Sequence, residues 1–373
     1  MALTDFGSLT TIQKTVQSTL ISKQGRDDNF FMSNGFMGDS TNDSTKPIQK
    51  VTELTKTERG TQAVLPLVGD ISGGIVGDNE LEGNEAVMIS DAQTIRIDQI
   101  RNGVRSKGRL SEQQTVIRFR VQAKDALAFW LADLLDELMF LTLAGRAYTV
   151  NTDGSTRATS QIPSLSFAAD VVAASTNRLM YAGAATSEAT FTTADSMTWD
   201  TIIQAHAFAK RKRIRPIRAG GKSYYVLVMS TEQARDLSKT ADYKTLVAQA
   251  MPRGTDNPLF NNARKVTPEG IVLYDHQKVY NTLGLSSGSR WGSASTVHGA
   301  QAMLLGAQAL GYASLDDGSP GMEESDNTDY KNRPAIGIGR IVGILKPQFK
   351  SKYDSNTVED YGTVAIKTAA AAN

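Results

Sequence analysis

Four groups of residues in this chain carry the side chains that chemistry needs, and spacing decides each case. Asp78, Glu80, Glu82 and Gly83 open like a calcium loop, with oxygen donors at alternate positions and a glycine for the sharp turn. The position that must supply a bidentate glutamate is Ile89. These acids therefore read as a loop facing solvent or a partner, with no metal. Gly221, Lys222 and Ser223 end like a phosphate-binding loop, but the first glycine of that motif falls on Pro216. Gly337, Gly339 and Gly343 imitate a dinucleotide fingerprint whose third glycine comes one residue late, inside a run, AIGIGRIVGIL, that reads as strand throughout. Glycines that let a β-strand pack closely are the simpler account. His206, His276 and His298 lie in no HExxH pair and beside no GxSxG elbow, so each reads as a structural or surface histidine. No catalytic site, cofactor or metal is expected. A soluble hydrolase whose residues converge only in space stays as an alternative with no pattern in its favour.

One charge cluster stands out: Lys210, Arg211, Lys212, Arg213, Arg215 and Arg218, continued by Lys222, with no acid between them. Cations at a helix end favour the carbonyl end of the macrodipole. Aromatic residues do not interleave with them, as a single-strand stacking site requires. Pairing with acids of another subunit, or a solvated face, is the preferred reading and contact with nucleic acid the second. The acidic run Asp316, Asp317, Glu323, Glu324, Asp326 and Asp329 is a candidate complement.

These groups hang on elements that the periodicity defines. Residues 69–108 have the make-up of a long two-stranded arm, with glycines at 69, 73, 74, 77 and 83 and an alternating strand pattern from Thr94 to Ile100. Such an arm has no core of its own. Leu67, Ile71, Ile75 and Val76 offer apolar surface and Asp78, Glu80, Glu82 and Glu85 offer carboxylates, which predicts a hairpin lying across an adjacent subunit. Directly after it, Leu127, Trp130, Leu131, Leu134 and Leu138 recur at helical spacing, joined by Leu135, Met139 and Leu141. Asp125, Asp133, Asp136 and Glu137 fill much of the opposite face, so the spacing predicts an amphipathic helix that ends at Gly145. Residues 1–50 read as an irregular arm whose Phe30, Phe31, Met32, Phe36 and Met37 gain order by lying on partners. A second compact unit begins near Asp195. There Thr198 caps a helix, Tyr224 to Met229 form a strand, and Ser230 with Gln233 has capping-box spacing.

The chain has 373 residues, a formal charge of +1 and no cysteine. That length suffices for sizeable cores. The missing cysteines exclude disulfides and thiolate chemistry and fit a reducing compartment. Near-neutrality excludes a basic architectural DNA-binding protein, because a strongly basic surface acts as a non-specific sink for phosphates. No apolar run approaches the roughly 20 residues that cross a bilayer, and the first residues lack a signal-peptide pattern, so neither export nor a membrane partner is expected.

The runs GGIVGDNELEGNEAVM, IRIDQIRNGVRSKGRLSEQQ and ALAFWLADLLDELMFLTLAG, in that order, resemble the major capsid proteins of tailed bacteriophages, in the podophage branch related to the coat protein of coliphage N-four. The resemblance implies an α+β, HK97-like fold. Its parts would be an N-terminal arm (1–50), an E-loop with its roots (51–109), a spine helix with a peripheral P-domain (110–194), an axial A-domain (195–315) and a return to the P-domain (316–373). It implies self-assembly as hexamers and pentamers into an icosahedral shell around double-stranded DNA, in the host cytoplasm, with scaffold, portal and decoration proteins as possible partners. An encapsulin-like nanocompartment of the same fold is the alternative within structural proteins.

Overall fold

The computed structural model describes residues 29–40, 43, 45–51, 60–68, 74–85, 90–114, 119–158, 160–219, 221–250, 265–266, 270–315, 321–325, 329–351 and 354–371. The expectations for residues 1–28, for Ile71 and for Asp316, Asp317 and Asp326 lie outside them, as does the side chain of Leu67.

Two sheets and one long helix organise the described residues. The helix runs Phe119–Ala144. Over its first turns it buries one stripe, Phe119, Ala123, Leu127 and Leu131, as the periodicity predicts, with Trp130 packed at the margin. From Leu134 onward the pattern changes, and every residue from Leu138 to Ala144 is buried. The expected amphipathic helix is therefore two-sided at its C-terminal end, because that end is enclosed by both sheets. Gly145 terminates it with φ +65°: the Arg146 N–H reaches the Leu141 carbonyl (2.9 Å) and the Gly145 N–H that of Thr142 (3.1 Å), a Schellman stop. A Cβ at this position would lie 2.5 Å from the Val172 carbonyl oxygen, so only glycine fits.

The five-stranded sheet is built around Ala335–Leu345. On one side it pairs antiparallel with Asp98–Arg105, and on the other with Gly321–Ser325 and Leu310–Ser314, the last joined in parallel by Ile48–Val51. Alternation sends Ile336, Ile338, Val342 and Ile344 to the core beneath the helix. On the opposite face, a Cβ at Gly343 would lie 2.2 Å from the Arg96 carbonyl oxygen, where the root of the extended loop crosses. Close backbone approach, and no dinucleotide, accounts for this glycine.

The seven-stranded sheet contains, in order, Leu179–Tyr181, Thr363–Ala369, Gly299–Leu305, Lys222–Met229, Ile271–Asp275 and Lys265–Val266, with Ile217–Ala219 alongside Lys222–Met229. Its central strands, Thr363–Ala369, Gly299–Leu305 and the second half of Lys222–Met229, are buried on both faces. Val226, Val228, Met303 and Leu305 point to the long helix, whereas Tyr225, Leu227, Met229, Ala302 and Leu304 pack under the helices Trp199–Arg211 and Thr231–Lys239. Both predicted caps form: Thr198 accepts the Thr201 N–H, and Ser230 and Gln233 bond reciprocally.

The chain crosses between sheets more often than the sequence divisions allow. Thr363–Ala369, read as part of a return to the peripheral domain, pairs with Gly299–Leu305 in the seven-stranded sheet. Leu310–Ser314, read as part of 195–315, belongs to the five-stranded sheet, and so does Gly321–Ser325 within the acidic run. Residues 151–195 hold mainly 3-10 turns, and their strand Leu179–Tyr181 joins the seven-stranded sheet. Alternation and propensity specify a strand but not its partner.

The segment 29–38 corrects another expectation. Phe30, Phe31 and Phe36 do not wait for a partner subunit: they are buried against Phe140, Tyr274 and His276 of the same chain. Asp136, placed by periodicity on the polar face of the helix, is only 3% exposed and accepts the Phe30 N–H at 2.7 Å. Burial pushes its carboxyl up to about 6, against the hydrogen bond from Phe30 and the field of Lys278. Folding then favours the protonated acid, so this contribution is fully present below about pH 4 and is lost as pH rises through about 6, a swing of about 3 kcal/mol. Asp136→Asn should therefore resist urea better than the wild type at neutral pH, with the gap closing near pH 4. A gap independent of pH would contradict this account.

Candidate functional site

The surfaces that the sequence singles out for contact fall into three groups, and the fold treats each differently. The extended loop starts from an antiparallel hairpin, Gln62–Val68 with Ser90–Arg96. Its root is not free. Ala63, Leu65 and Ile95 are buried with Val51, Ala313 and Leu345, the Gln348 N–H donates to Gln93 (2.8 Å), and Arg96 pairs with Asp170 (3.2 Å). The expectation that residues 69–108 form one arm with no core of its own is thus corrected. The predicted strand Thr94–Ile100 breaks at Ile97, and its second half, Asp98–Arg105, enters the five-stranded sheet. Nucleation on the subunit's own core wins because the hairpin's inward face finds apolar partners at once.

Beyond this root the loop is different. Residues 74–85 touch little but themselves: Ile75 is fully exposed, Leu81 is exposed, Val76 is half-buried, and Asp78, Glu80, Glu82 and Glu85 face water. No atom lies within 4 Å of the Cβ position at Gly74, Gly77 or Gly83. Two local turns shape the tip, with the Asn79 and Asn84 amides donating to the carbonyls of Val76 (3.0 Å) and Glu80 (3.0 Å). The tip is ordered by its own short-range bonds and presents carboxylates with two bare aliphatic side chains.

The basic run divides. Lys210 and Arg211 form the last turn of Trp199–Arg211, as the macrodipole favours. Arg213 takes φ +56° at the helix stop, with the Ile214 N–H bonded to the Ala209 carbonyl, so a cation occupies the place where glycine is usual. Lys212 is spent within the subunit: it and Arg178 grip Asp354 at 2.6 and 2.7 Å. Burial pushes the Asp354 carboxyl up, but the bonds from Lys212 and Arg178 outweigh it and hold the group below its usual range. The side chains of Lys210, Arg211, Arg213, Arg215 and Arg218 stay exposed. Of the described acids in the acidic run, Glu324 pairs with Arg120 (2.7 Å) and Lys124, and Asp329 with Arg333 (3.1 Å), so these two are engaged elsewhere.

The third group, Leu127, Leu131, Leu134 and Leu138 with Trp130 beside them, is core. The histidines are structural. His276 stacks on Phe140 at 4.9 Å and accepts the Lys278 N–H, His298 lies 3.2 Å from the Thr282 carbonyl, and His206 meets Tyr225 edge to face. Among the described residues no group of acids and histidines is arranged to hold a metal ion, and no helix is long and apolar enough to cross a membrane. Sequence reading missed the exposed Leu110 and Tyr330. A lone leucine or tyrosine has no periodic signature, and only the fold shows that neither finds a core.

A long helix enclosed by two sheets, a self-ordered loop projecting from one of them and polar side chains committed to structure define the HK97-like capsid fold, and the comparisons place the chain within it. The model of the phage capsid protein family matches residues 7–372, and the chain belongs to that family. It is 38% identical over 378 residues to the major capsid protein of Pseudomonas phage KPP25, covering 98% of each chain. Among solved structures, the capsid of Ralstonia phage GP4 superposes with a TM-score of 0.77 at 26% identity, over 96% of both chains. The capsid of cyanophage Pam1 shares the fold, with a TM-score of 0.73 at 20% identity over 98% of both chains. The chain has the function of a major capsid protein of a tailed bacteriophage, a structural role and not an enzymatic one.

Proposed function

We propose that copies of this subunit assemble as hexamers and pentamers into an icosahedral shell enclosing double-stranded DNA, formed in the host cytoplasm, with the tip of the extended loop contacting an adjacent subunit. The observation that carries the reading is the self-ordered loop 74–85, whose exposed Ile75 and Leu81 gain nothing from the subunit that bears them. Obligate assemblies bury large areas over several contacts, so that individually modest energies add up. Carboxylates at the tip supply register more than affinity. The exposed members of the basic run, Lys210, Arg211, Arg213, Arg215 and Arg218, serve as a further contact, to a neighbouring subunit or to packaged DNA.

Hydrogen exchange on the free subunit and on shells, with electron microscopy of the same preparations, tests this. Residues 74–85 should exchange freely in the subunit and become protected in shells. Helix Phe119–Ala144 should be protected in both, since its contacts are intramolecular. Protection of 74–85 in the free subunit would contradict an intersubunit role.

A further inference from the structure

The hairpin formed by Gln348–Ser351 and Thr357–Asp360 belongs to neither large sheet, yet it is bonded along both of its outer edges. The Tyr361 N–H donates to the Pro347 carbonyl (2.9 Å), which closes the ladder on the odd-numbered residues and turns the backbone of Gln348, Lys350 and Asp360 outward. On the first edge the Gln348 N–H donates to the Gln93 side chain (2.8 Å) and the Lys350 N–H to Asp91 (3.1 Å). Asp91 and Gln93 are alternate residues of the loop strand Ser90–Arg96, on the face that buries Ile95 with Leu65, Ala313 and Leu345. The root of the extended loop therefore rests on this hairpin at a fixed register, through side chains and not through a backbone ladder.

The second edge is welded elsewhere. The Asp360 N–H donates to the Ser175 hydroxyl (3.0 Å) and its carboxylate accepts the Ser175 N–H (3.2 Å), while the Arg178 Nε–H reaches the Asp360 carbonyl (3.2 Å). The Asn177 amide donates to Glu359 (2.7 Å). At the turn, Arg178 and Lys212 hold the Asp354 carboxylate, and the Asp354 carbonyl accepts the Thr357 hydroxyl (2.6 Å). Residues 175–178 run directly into Leu179–Tyr181, the edge strand of the seven-stranded sheet, and Lys212 caps the helix Trp199–Arg211 that covers that sheet. The Arg178 and Asp354 side chains are buried, so salt screens this grip little. The loop springs from beside the five-stranded sheet, but it leans on a hairpin fastened to the seven-stranded one.

We propose that this hairpin is a strut that ties the direction of the extended loop to the seven-stranded sheet, with Asp354 as its release point. This rests on the reading that the tip contacts a neighbour, and it names what aims the tip. The loop strands Gln62–Val68 and Ser90–Arg96 are seven residues long, so a swing of about 10° at the root moves their far ends by about 4 Å. Preformed contacts ordinarily shift by about 1 Å or less. A loop released from the strut therefore meets its partner out of register. A network that served stability alone would loosen the whole subunit when cut, whereas a strut loosens the loop root first.

Hydrogen exchange on the free subunit tests the difference. Asp354→Asn removes the charge that Arg178 and Lys212 grip, and amides 90–96 should then exchange about tenfold faster or more, with those of helix Phe119–Ala144 unchanged. Lys212→Met leaves Arg178 on Asp354 and should give a smaller change in the same direction, which keeps the test open if Asp354→Asn does not fold. Faster exchange confined to 175–178 and 348–360, with 90–96 as in the wild type, would overturn the strut. An equal rise along helix Phe119–Ala144 would overturn it too, leaving the network an ordinary stabilising one. A second measurement uses the absence of cysteine from the chain. Spin labels at Thr94→Cys, on the outward face of the loop strand, and at Gln204→Cys, on the exposed face of the helix, should give one narrow distance distribution that broadens when Asp354→Asn is added. A distribution that stays narrow would contradict the proposal. Both measurements use free subunits, so the strut can fail while the tip contact stands, and the reverse.

Discussion

Leu138→Asp is expected to leave no soluble subunit and no shells. Leu138 has no exposed surface and lies where the long helix is enclosed by both sheets. An aspartate there loses the apolar burial and strands a carboxylate without a donor, a cost of about 5 kcal/mol or more, against a total stability that is only about 5–15 kcal/mol in ordinary domains. The same helix shows what makes a buried acid tolerable: Asp136, two residues earlier, is accepted because the Phe30 N–H meets it. Leu138→Met, which conserves volume and adds no charge, should cost less than about 1.5 kcal/mol and assemble normally. Soluble yield and electron microscopy of the two variants give the comparison. Normal shells from the aspartate variant would show that this face is not core.

Excision of residues 74–85 should separate folding from assembly. None of the cores draws on these residues, and the root stays fixed by Leu65, Ile95 and the bonds to Gln348 and Lys350. The shortened subunit should therefore remain soluble with a melting temperature within a few degrees of the wild type, since surface changes away from packed features cost little. It should form no stable closed shell, because an intersubunit contact repeated in every copy is lost at every copy. Size exclusion and electron microscopy decide the outcome, and closed, stable particles from the shortened chain would sink the assembly role of the tip.

Elements with strong local signals were legible one by one. The strand Ala335–Leu345, the capped helices beginning after Thr198 and Ser230 and the stop at Gly145 follow from patterns confined to a few neighbouring residues. The loop tip was legible too, as a glycine-broken acidic stretch with no core. Asp136 was not. Helical spacing put it among Asp133 and Glu137 on the polar side, and only the arrival of Phe30 from more than a hundred residues away made that side interior. The same holds for Lys212, whose partner Asp354 belongs to a distant hairpin and not to the acidic run that composition suggested.

The sequence by itself determined the class of the molecule: residue order and spacing carried the capsid resemblance, failed motifs argued against a reaction centre, and alternation and caps specified most elements. Tertiary structure alone decided which strands pair, so that Thr363–Ala369 enters the seven-stranded sheet between Leu179–Tyr181 and Gly299–Leu305, while Leu310–Ser314 goes to the other sheet. It also decided which apolar residues are left over. Phe30 and Leu65 find cores in their own subunit, whereas Ile75, Leu110 and Tyr330 do not. The physical reason is range: hydrogen-bond caps and side-chain periodicity act over a few residues, while burial depends on segments brought together across the whole chain.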